Sequence, residues 1–155
     1  MVGRLGGCGM PESLEDLRRL RVMGVDYLVS LATDGELARY WWSPLTFLRV
    51  AAAEGLRVIR FPIPEGGAPD PSEACRLFRK LKVLEDEGYT IIFHCVAGRG
   101  RTGTMLASYL AVTRRLDPLE ALERVRRADP FAGPENEAQF TFLEYAPTLC
   151  RIEGL

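Results

Sequence analysis

Short apolar runs and longer amphipathic segments alternate along the chain. The runs at 26–31 (DYLVSL), 56–61 (LRVIRF) and 89–94 (YTIIFH) are apolar and partly β-branched, which is typical of buried strands. The longer segments begin at capping residues or prolines, which is typical of helices; they span residues 13–23, 43–54, 70–87, 102–115, 117–128 and 134–145. Because strands and helices alternate, we expect an α/β fold: a mainly parallel sheet of four to five strands with helices on both faces.

Length and composition indicate a single domain over residues 1–155. Of the 155 residues, 47% are hydrophobic, so a core can form without a stabilising metal. The net charge of -1 excludes a general attraction to nucleic acid or to acidic membranes. No apolar run approaches the ~18 residues of a spanning helix, and the first residues lack the apolar core of a signal peptide. We therefore expect a cytoplasmic monomer without stable membrane insertion.

The cysteine and histidine inventory argues against a metal site. The four cysteines are widely spaced without a CxxC pair, and the single histidine is His94; the cysteines are Cys8, Cys75, Cys95 and Cys150. No zinc ligand set can be assembled from them, and we expect neither a metal nor another cofactor. Without a secretion signal, all four thiols are expected to be reduced. Eighteen arginines against two lysines, with one asparagine and one glutamine, resemble the composition of thermophilic proteins.

The segment 94–103 (HCVAGRGRTG) joins a predicted buried strand to a predicted helix. In open α/β sheets, ligands bind at the carboxyl ends of strands. Gly98 and Gly100 allow successive backbone N–H groups to turn inward at a helix N-terminus, which forms an anion cradle of phosphate size. Arg101 can close this cradle by binding two phosphate oxygens. The predicted substrate-binding residues are Val96, Ala97, Gly98, Arg99, Gly100 and Arg101.

Cys95 is the predicted nucleophile of this cradle. The inward N–H groups and the helix dipole lower the pKa of a cysteine in such a position, so that it is a thiolate at neutral pH. Thr102 can donate its hydroxyl to the sulfur and ease its departure from a covalent intermediate. We expect His94 to orient the loop through a backbone hydrogen bond rather than to act as a general base.

The anion-binding segment and several others along the chain resemble one known family. HCVAGRGRTG resembles the signature of the cysteine-dependent protein tyrosine phosphatase superfamily. Further segments resemble its small dual-specificity phosphatases over nearly the whole chain, namely RLGGCGMP, VDYLVSL, RFPIPEGGAPD, TGTMLASYL and PENEAQFTFLEYA. The resemblance implies a protein tyrosine phosphatase-like domain, a phosphocysteine intermediate and catalysis without metal.

The departing oxygen of a phosphate ester needs a proton, and the family supplies it from an aspartate on an upstream loop. Here the corresponding stretch 62–69 (PIPEGGAP) has Glu65 at that position, one methylene longer than aspartate. Asp70 is the alternative general acid, but it is also the predicted cap of the following helix. We favour Glu65, with Gln139, which matches a family glutamine, positioning the attacking water.

The expected substrates are phosphorylated proteins or peptides, with inorganic phosphate or similar oxyanions also binding the loop. Phosphotyrosine is favoured, with phosphoserine and phosphothreonine as further substrates. Arg99 adds a positive charge that also suits phosphoinositides. Two rival functions are a non-catalytic phosphate-binding protein and a redox sensor based on Cys95. Trp41, Trp42 and Phe131 are candidates for the rim of the site, although aromatic residues at such positions usually belong to the core.

Overall fold

The computed structural model describes residues 3–155 and has a four-stranded parallel sheet surrounded by helices. The strands are β1 (Leu5–Cys8), β2 (Tyr27–Ser30), β3 (Arg57–Arg60) and β4 (Ile91–His94), in the order β1-β4-β2-β3. The helices are α1 (Leu14–Val22), α2 (Asp34–Trp41), α3 (Pro44–Ala53), α4 (Pro71–Asp86), α5 (Gly100–Thr113), α6 (Pro118–Ala128) and α7 (Glu137–Ile152). The predicted α/β fold with a parallel sheet is confirmed.

Two hydrophobic cores cover the two faces of the sheet. Successive strand residues point to opposite faces, and in β4 the side chains of Ile91 and Phe93 enter one core while Ile92 enters the other. The larger core is packed by α4, α5, α6 and α7, and the smaller one by α1, α2 and α3. All four residues of β4 are buried, so the strand that precedes the predicted cradle is held on both faces.

Polar caps fix where most of the helices begin. A capping side chain accepts a backbone N–H that has no partner within the helix, and residues of this kind start six helices; they are Ser13, Thr33, Ser43, Asp70, Asp117 and Asn136. The helix α5 is different, because Arg99, which precedes it at the N-cap position, provides no side-chain cap. The first N–H groups of α5 are therefore left without a capping side chain.

Two elements were not predicted from the hydrophobic pattern, namely β1 and α2. The sequence of β1 is LGGC, and its two glycines lack the β-branched side chains by which strands are recognised. The helix α2 begins at a capping box between Thr33 and Glu36, with Gly35 in its first turn obscuring the helical pattern. The last helix also continues to Ile152, seven residues beyond the predicted end.

The expectation that all four cysteines are reduced is wrong, because Cys75 and Cys150 form a disulfide. The two residues are separated by 75 positions in the chain, but they lie on α4 and α7, which pack against each other with the two Cα atoms 5.2 Å apart. Sequence spacing does not show such a pairing, since it depends on helix packing. Cys8 and Cys95 remain free thiols.

Within residues 3–155, the helices all lack either the length or the apolar composition that crossing a bilayer requires. The same residues contain no group of three or more histidine, cysteine, aspartate or glutamate side chains that could hold a metal ion.

Candidate active site

The site lies at the edge of the sheet where all four strands end. Because the strands are parallel, their carboxyl ends lie at the same edge. The segment 95–101 follows β4, α2 follows β2, and the loop 62–69 follows β3. We call 95–101 the phosphate loop and 62–69 the acid loop. The fold thus brings together segments that are far apart in the sequence.

The phosphate loop requires glycine at position 98. Gly98 has a φ of 78°, in the left-handed region that favours glycine. A Cβ atom at this position would lie 2.6 Å from the carbonyl carbon of Cys8 and from the nitrogen of Gly9. The loop is therefore packed directly against the end of β1, and its tight path depends on this contact.

The sulfur of Cys95 lies inside the phosphate loop. Cys95 is buried, and its Sγ accepts a hydrogen bond from the backbone N–H of Gly98 at 3.2 Å. The hydrogen bond expected from Thr102 to this sulfur is not formed. Instead, the Thr102 hydroxyl is buried without a hydrogen-bond partner among residues 3–155. The backbone, not Thr102, provides the hydrogen bond to the sulfur in this state.

Arg101 is held in place by a carboxylate that the sequence pattern did not identify. Its Nη1 and Nη2 donate to Oε1 and Oε2 of Glu36 at 2.7 and 2.9 Å, and Nη1 also donates to the carbonyl of Ile63 at 2.8 Å. These bonds use three of the five N–H donors of the guanidinium. The other two donors, on Nε and Nη2, have no protein acceptor within residues 3–155. They point to the same side of the guanidinium as a fork, which can bind two phosphate oxygens at once.

The pairing with Glu36 also sets the charges of the site. Hydrogen bonds from Arg101 lower the pKa of Glu36 to about 2, so this carboxyl is ionised throughout the neutral range. The pKa of Arg101 is raised, chiefly by its hydrogen bonds to Glu36, with smaller contributions from the charges of Cys95 and Glu65. A fixed, charged guanidinium therefore interacts electrostatically with Cys95 in the phosphate loop.

His94 is fully buried behind the phosphate loop. Its Nδ1 lies 2.9 Å from the carbonyl oxygen of Cys95, to which it donates because a carbonyl can only accept. Burial is the main cause that lowers the pKa of His94 to about 4, so the ring is neutral at pH 7. His94 thus donates to the loop backbone, and among residues 3–155 its Nε2 has no hydrogen-bond partner, so no hydrogen bond joins it to the Cys95 sulfur.

Glu65 and Asp70 occupy different environments. Glu65 lies in a turn of the acid loop, in which the N–H of Gly67 donates to the carbonyl of Pro64 at 2.8 Å. Its side chain is exposed and has no hydrogen-bond partner within the described chain, and its charge acts on Arg101. Asp70 instead caps α4, with its Oδ1 accepting the N–H of Glu73 at 3.0 Å. Of the two carboxyl groups, only that of Glu65 has no hydrogen-bond partner within the described chain. It is also the one whose charge acts on Arg101 of the phosphate loop.

The acid loop is bonded to the beginning of α7. Asn136 Nδ2 donates to the carbonyl of Gly66 at 2.8 Å, and Gln139 Nε2 donates to the carbonyl of Gly67 at 3.2 Å. Gln139 is buried, although a helical glutamine in the sequence gives no sign of burial. Asn136, like Glu36, was not among the predicted site residues. The available signals were that Asn136 is a helix cap and that Thr33 and Glu36 match a capping box.

The aromatic candidates for the rim have different positions. Trp41 is buried and donates its Nε1–H to the carbonyl of Pro11 at 2.7 Å, whereas Trp42 and Phe131 are 91% and 73% exposed. The expectation of core positions is therefore wrong for Trp42 and Phe131. Phe131 lies under the guanidinium of Arg99, 5.3 Å from ring centre to Cζ, and Arg99 Nε also lies 3.4 Å from Asp129 Oδ2.

Cys8 is the free thiol at the end of β1, next to the phosphate loop. Burial, and to a lesser extent the charge of Cys95, raise the pKa of Cys8 to about 12. Its thiol is therefore protonated at neutral pH, which leaves Cys95 as the candidate nucleophile of the site.

Comparisons with known proteins agree with this geometry. A family described as "Swiss Army Knife protein, DSP-PTPase phosphatase domain" matches residues 1–139. Cyclin-dependent kinase inhibitor 3 of Sus scrofa is 26% identical over 149 residues, covering 90% of this chain and 69% of that protein. Protein tyrosine phosphatase type IVA 3 of Bos taurus is 31% identical over 100 residues, covering 61% of this chain and 54% of that protein.

Solved phosphatase structures have the same fold as this chain. The crystal structure of Tk-PTP in the active form is 30% identical and superimposes with a TM-score of 0.78, covering 90% of this chain and 88% of that one. A structure of PTPMT1 in complex with PI(5)P has a TM-score of 0.83 at 17% identity, covering 98% and 96%, and shows the fold alone.

The chain belongs to the DSP-PTPase family of dual-specificity and tyrosine phosphatases. It is a cysteine-dependent phosphatase with the fold of the small dual-specificity enzymes.

Proposed function

We propose that this phosphatase removes phosphate from phosphotyrosine in proteins, and from phosphoserine and phosphothreonine, through a phosphocysteine formed on Cys95. The observation that carries the proposal is the relation between the Cys95 sulfur and Arg101. The sulfur lies within the phosphate loop, and Arg101 is fixed by Glu36 with one N–H fork unused by the protein. An oxyanion held by this fork would place its central atom in front of the sulfur.

In the first step the Cys95 thiolate attacks phosphorus. The sulfur–phosphorus bond forms as the bond to the ester oxygen breaks, while Arg101 and the N–H groups of the phosphate loop hold the other phosphate oxygens. Glu65 transfers its proton to the departing oxygen, because an alkoxide or phenoxide is a poor leaving group without one.

In the second step water hydrolyses the phosphocysteine. The Glu65 carboxylate, now without its proton, takes one from the attacking water, and the thiolate departs. Thr102 is proposed to turn its hydroxyl toward the sulfur at this stage and stabilise the returning charge. Its hydroxyl is available for this, since it has no other partner within residues 3–155.

The exposed ring of Phe131 supports an aromatic substrate. It lies beside Arg99 of the phosphate loop, where it can contact the phenyl ring of a phosphotyrosine. Arg99 itself is paired with Asp129, so part of its charge is already compensated. The second candidate is a phosphoinositide phosphatase, favoured by the presence of Arg99 in the loop and by the fold shared with PTPMT1, whose structure contains PI(5)P.

The finer properties of the enzyme are proposals as well. We place the whole catalytic domain within residues 1–155, acting in the cytoplasm as a monomer and without metal or nucleic acid. Support comes from the net charge of -1 and from the structure of Tk-PTP, whose match covers 90% of this chain and 88% of that one.

A rate panel tests the proposal. Phosphotyrosine, phosphoserine and phosphothreonine peptides and a phosphoinositide are compared on the wild type, Cys95→Ser, Glu65→Gln and Asp70→Asn. We expect no turnover with Cys95→Ser, and loss of the decline in activity at high pH with Glu65→Gln, because a general acid must be protonated to act. If Asp70→Asn abolishes that decline and Glu65→Gln does not, Asp70 is the acid. If no substrate is turned over, the protein is a phosphate-binding protein instead.

A further inference from the structure

The only asparagine and the only glutamine of the chain lie within one turn of α7 and its cap, and they act on the same loop. Asn136 and Gln139 donate to the consecutive carbonyls of Gly66 and Gly67, next to Glu65. We propose that these two carboxamides are positioning residues that hold the acid loop closed and thereby present Glu65 to the leaving group. The proposal rests on Glu65 being the general acid.

Asn136 has two simultaneous roles that only a carboxamide can fulfil. Its Oδ1 accepts the N–H of Gln139 at 3.0 Å and so caps α7, while its Nδ2 donates to Gly66 at 2.8 Å. Aspartate, serine and threonine cap helices as well as asparagine or nearly so. They do not provide an amide donor on the opposite side of the same group. The cap alone does not require asparagine, whereas the contact with the acid loop does.

Gln139 makes an equivalent pair of bonds from a buried position. Its Oε1 accepts the N–H of Glu135 at 2.9 Å, and its Nε2 donates to Gly67 at 3.2 Å, while the residue is only 1% exposed. Both polar atoms of the amide are therefore bonded to backbone. Each amide atom keeps a second bonding position, a second N–H on Nε2 and a second lone pair on Oε1, so the expected role in positioning a water stays a prediction beside this one.

The other end of the acid loop is held by the phosphate loop itself. Arg101 donates to the carbonyl of Ile63, two residues before Glu65. The backbone on both sides of Glu65 is thus fixed, by Arg101 on one side and by the two carboxamides on the other. The Glu65 side chain has no hydrogen bond of its own within residues 3–155, so the position of its carboxyl depends on these backbone contacts.

The two contacts can be removed by nearly isosteric substitutions. Asn136→Asp keeps the cap and Gln139→Glu keeps the acceptor for Glu135, but each replaces the donor to the acid loop by an oxygen that repels a carbonyl. Asn136→Ser removes the donor without adding a charge. Asp117→Asn is the matched control, because it also swaps aspartate and asparagine at a helix cap, that of α6. There the side chain of Asp117 accepts the N–H of Leu119 and makes no hydrogen bond to the acid loop.

The readout is the dependence of kcat/KM on the leaving group. Phenyl phosphate needs a proton on its departing oxygen, whereas 4-nitrophenyl phosphate releases a stable anion and needs it far less. We expect Asn136→Asp, Asn136→Ser and Gln139→Glu to lower kcat/KM for phenyl phosphate by about tenfold or more, part of the ~100-fold or larger contribution of a general acid. For 4-nitrophenyl phosphate the loss should be about threefold or less, and Asp117→Asn should change neither value.

Equal losses on both substrates, or no loss on either, would overturn the positioning role. Glu65→Gln separates this failure from that of the proposed function. If Glu65→Gln itself does not discriminate between the two leaving groups, the assignment of the acid is wrong. If it discriminates and the carboxamide variants do not, only the positioning role is wrong. Should Gln139→Glu fail to fold, as judged by circular dichroism, Asn136→Ser decides, since it buries no charge.

Discussion

At the scale of single residues, the site depends on one buried ion pair whose two partners come from different elements of the fold. Arg101 and Glu36 are separated by 65 positions, yet their side chains are only 5% and 16% exposed and meet in a bidentate pair. Breaking such a pair by removing one partner leaves an uncompensated buried charge, which costs more than the pair itself contributes. Glu36 is therefore important for both stability and the orientation of Arg101.

We predict that Glu36→Ala lowers the free energy of unfolding at pH 7 by about 3 kcal/mol and strongly reduces binding of inorganic phosphate. Urea denaturation and calorimetric titration measure the two effects. The matched control is Asp34→Ala in the same helix, because Asp34 is 79% exposed in its pair with Arg60 and should change stability by about 1 kcal/mol or less. Equal effects of the two substitutions would contradict the importance of the buried pair.

The buried imidazole of His94 should make the stability of the folded protein depend on pH. Its pKa is about 4 in the folded protein and 6.5 in the unfolded chain. The unfolded state therefore binds more protons than the folded state between these values, and stability falls as the pH is lowered through this window. The loss attributable to His94 is at most about 3 kcal/mol. Urea denaturation from pH 7 to pH 4 should show a steeper loss for the wild type than for His94→Gln; parallel curves would rule this contribution out.

Residues that act through local geometry could be predicted, and those that act through tertiary contacts could not. The phosphate loop could be predicted from the spacing of Cys95, Gly98 and Arg101, because the backbone N–H groups that form it come from consecutive residues. Glu36 and Asn136 reach the site from other elements, so their roles require the arrangement of the sheet. The roles proposed for Cys95, Arg101, Glu65 and Thr102 stay predictions until the variants are measured.

At the scale of elements, the decisive feature is the junction between β4 and α5. The buried strand ends at His94, only the five residues 95–99 separate it from α5, and α5 starts at Gly100 without a capping side chain. Helices with free N-terminal N–H groups attract anions through those groups and through the helix dipole. The hydrophobic pattern predicted this junction correctly, because a fully buried strand and a long helix both have strong signals.

Gly98→Ala tests the shape of this junction. Alanine at a φ of 78° costs about 1–2 kcal/mol, and its Cβ would meet backbone atoms of Cys8 and Gly9 at 2.6 Å. We expect the loop to shift and kcat/KM to fall by about 100-fold, as for a misplaced catalytic group. Gly35→Ala is the control, because a Cβ there meets nothing within 4 Å; it should leave activity unchanged. Full activity of Gly98→Ala would show that the close approach is not required.

The missed elements are explained by their composition. Gly6 and Gly7 in β1 carry no side chain that could produce an alternating pattern, but a Cβ at Gly7 would lie 2.5 Å from the Cγ2 of Thr102. The strand is thus recognisable only from the helix that packs against it. In α2, an early glycine hides a helix whose start is nevertheless coded by Thr33 and Glu36.

At the scale of the whole molecule, the disulfide between Cys75 and Cys150 joins α4 to the C-terminal helix α7, both on the face that carries α5. The fold class was predictable because alternating strands and helices permit few arrangements. The disulfide could not be predicted from the sequence, since it depends on which helices become neighbours on that face of the sheet. It connects the last helix, whose beginning holds the acid loop, to the body of the domain.

Thiol counting checks this disulfide directly. Under denaturing conditions without reductant, we expect two reactive thiols, Cys8 and Cys95, rather than four. The double variant Cys75→Ala/Cys150→Ala should lose up to about 4.5 kcal/mol of stability, the chain-entropy value for a loop of this length. Four reactive thiols in the purified protein would show that the pair is reduced.

The central claim is that the Cys95 sulfur attacks the phosphorus that the loop holds, and trapping the intermediate tests it most directly. A phosphotyrosine peptide labelled with ³²P is mixed with the enzyme, the reaction is quenched within milliseconds, and the labelled residue is mapped by mass spectrometry. The account predicts one phosphate on Cys95 and none on the Cys95→Ser variant, which should also be inactive. Label on another residue, or undiminished turnover by the serine variant, would contradict it.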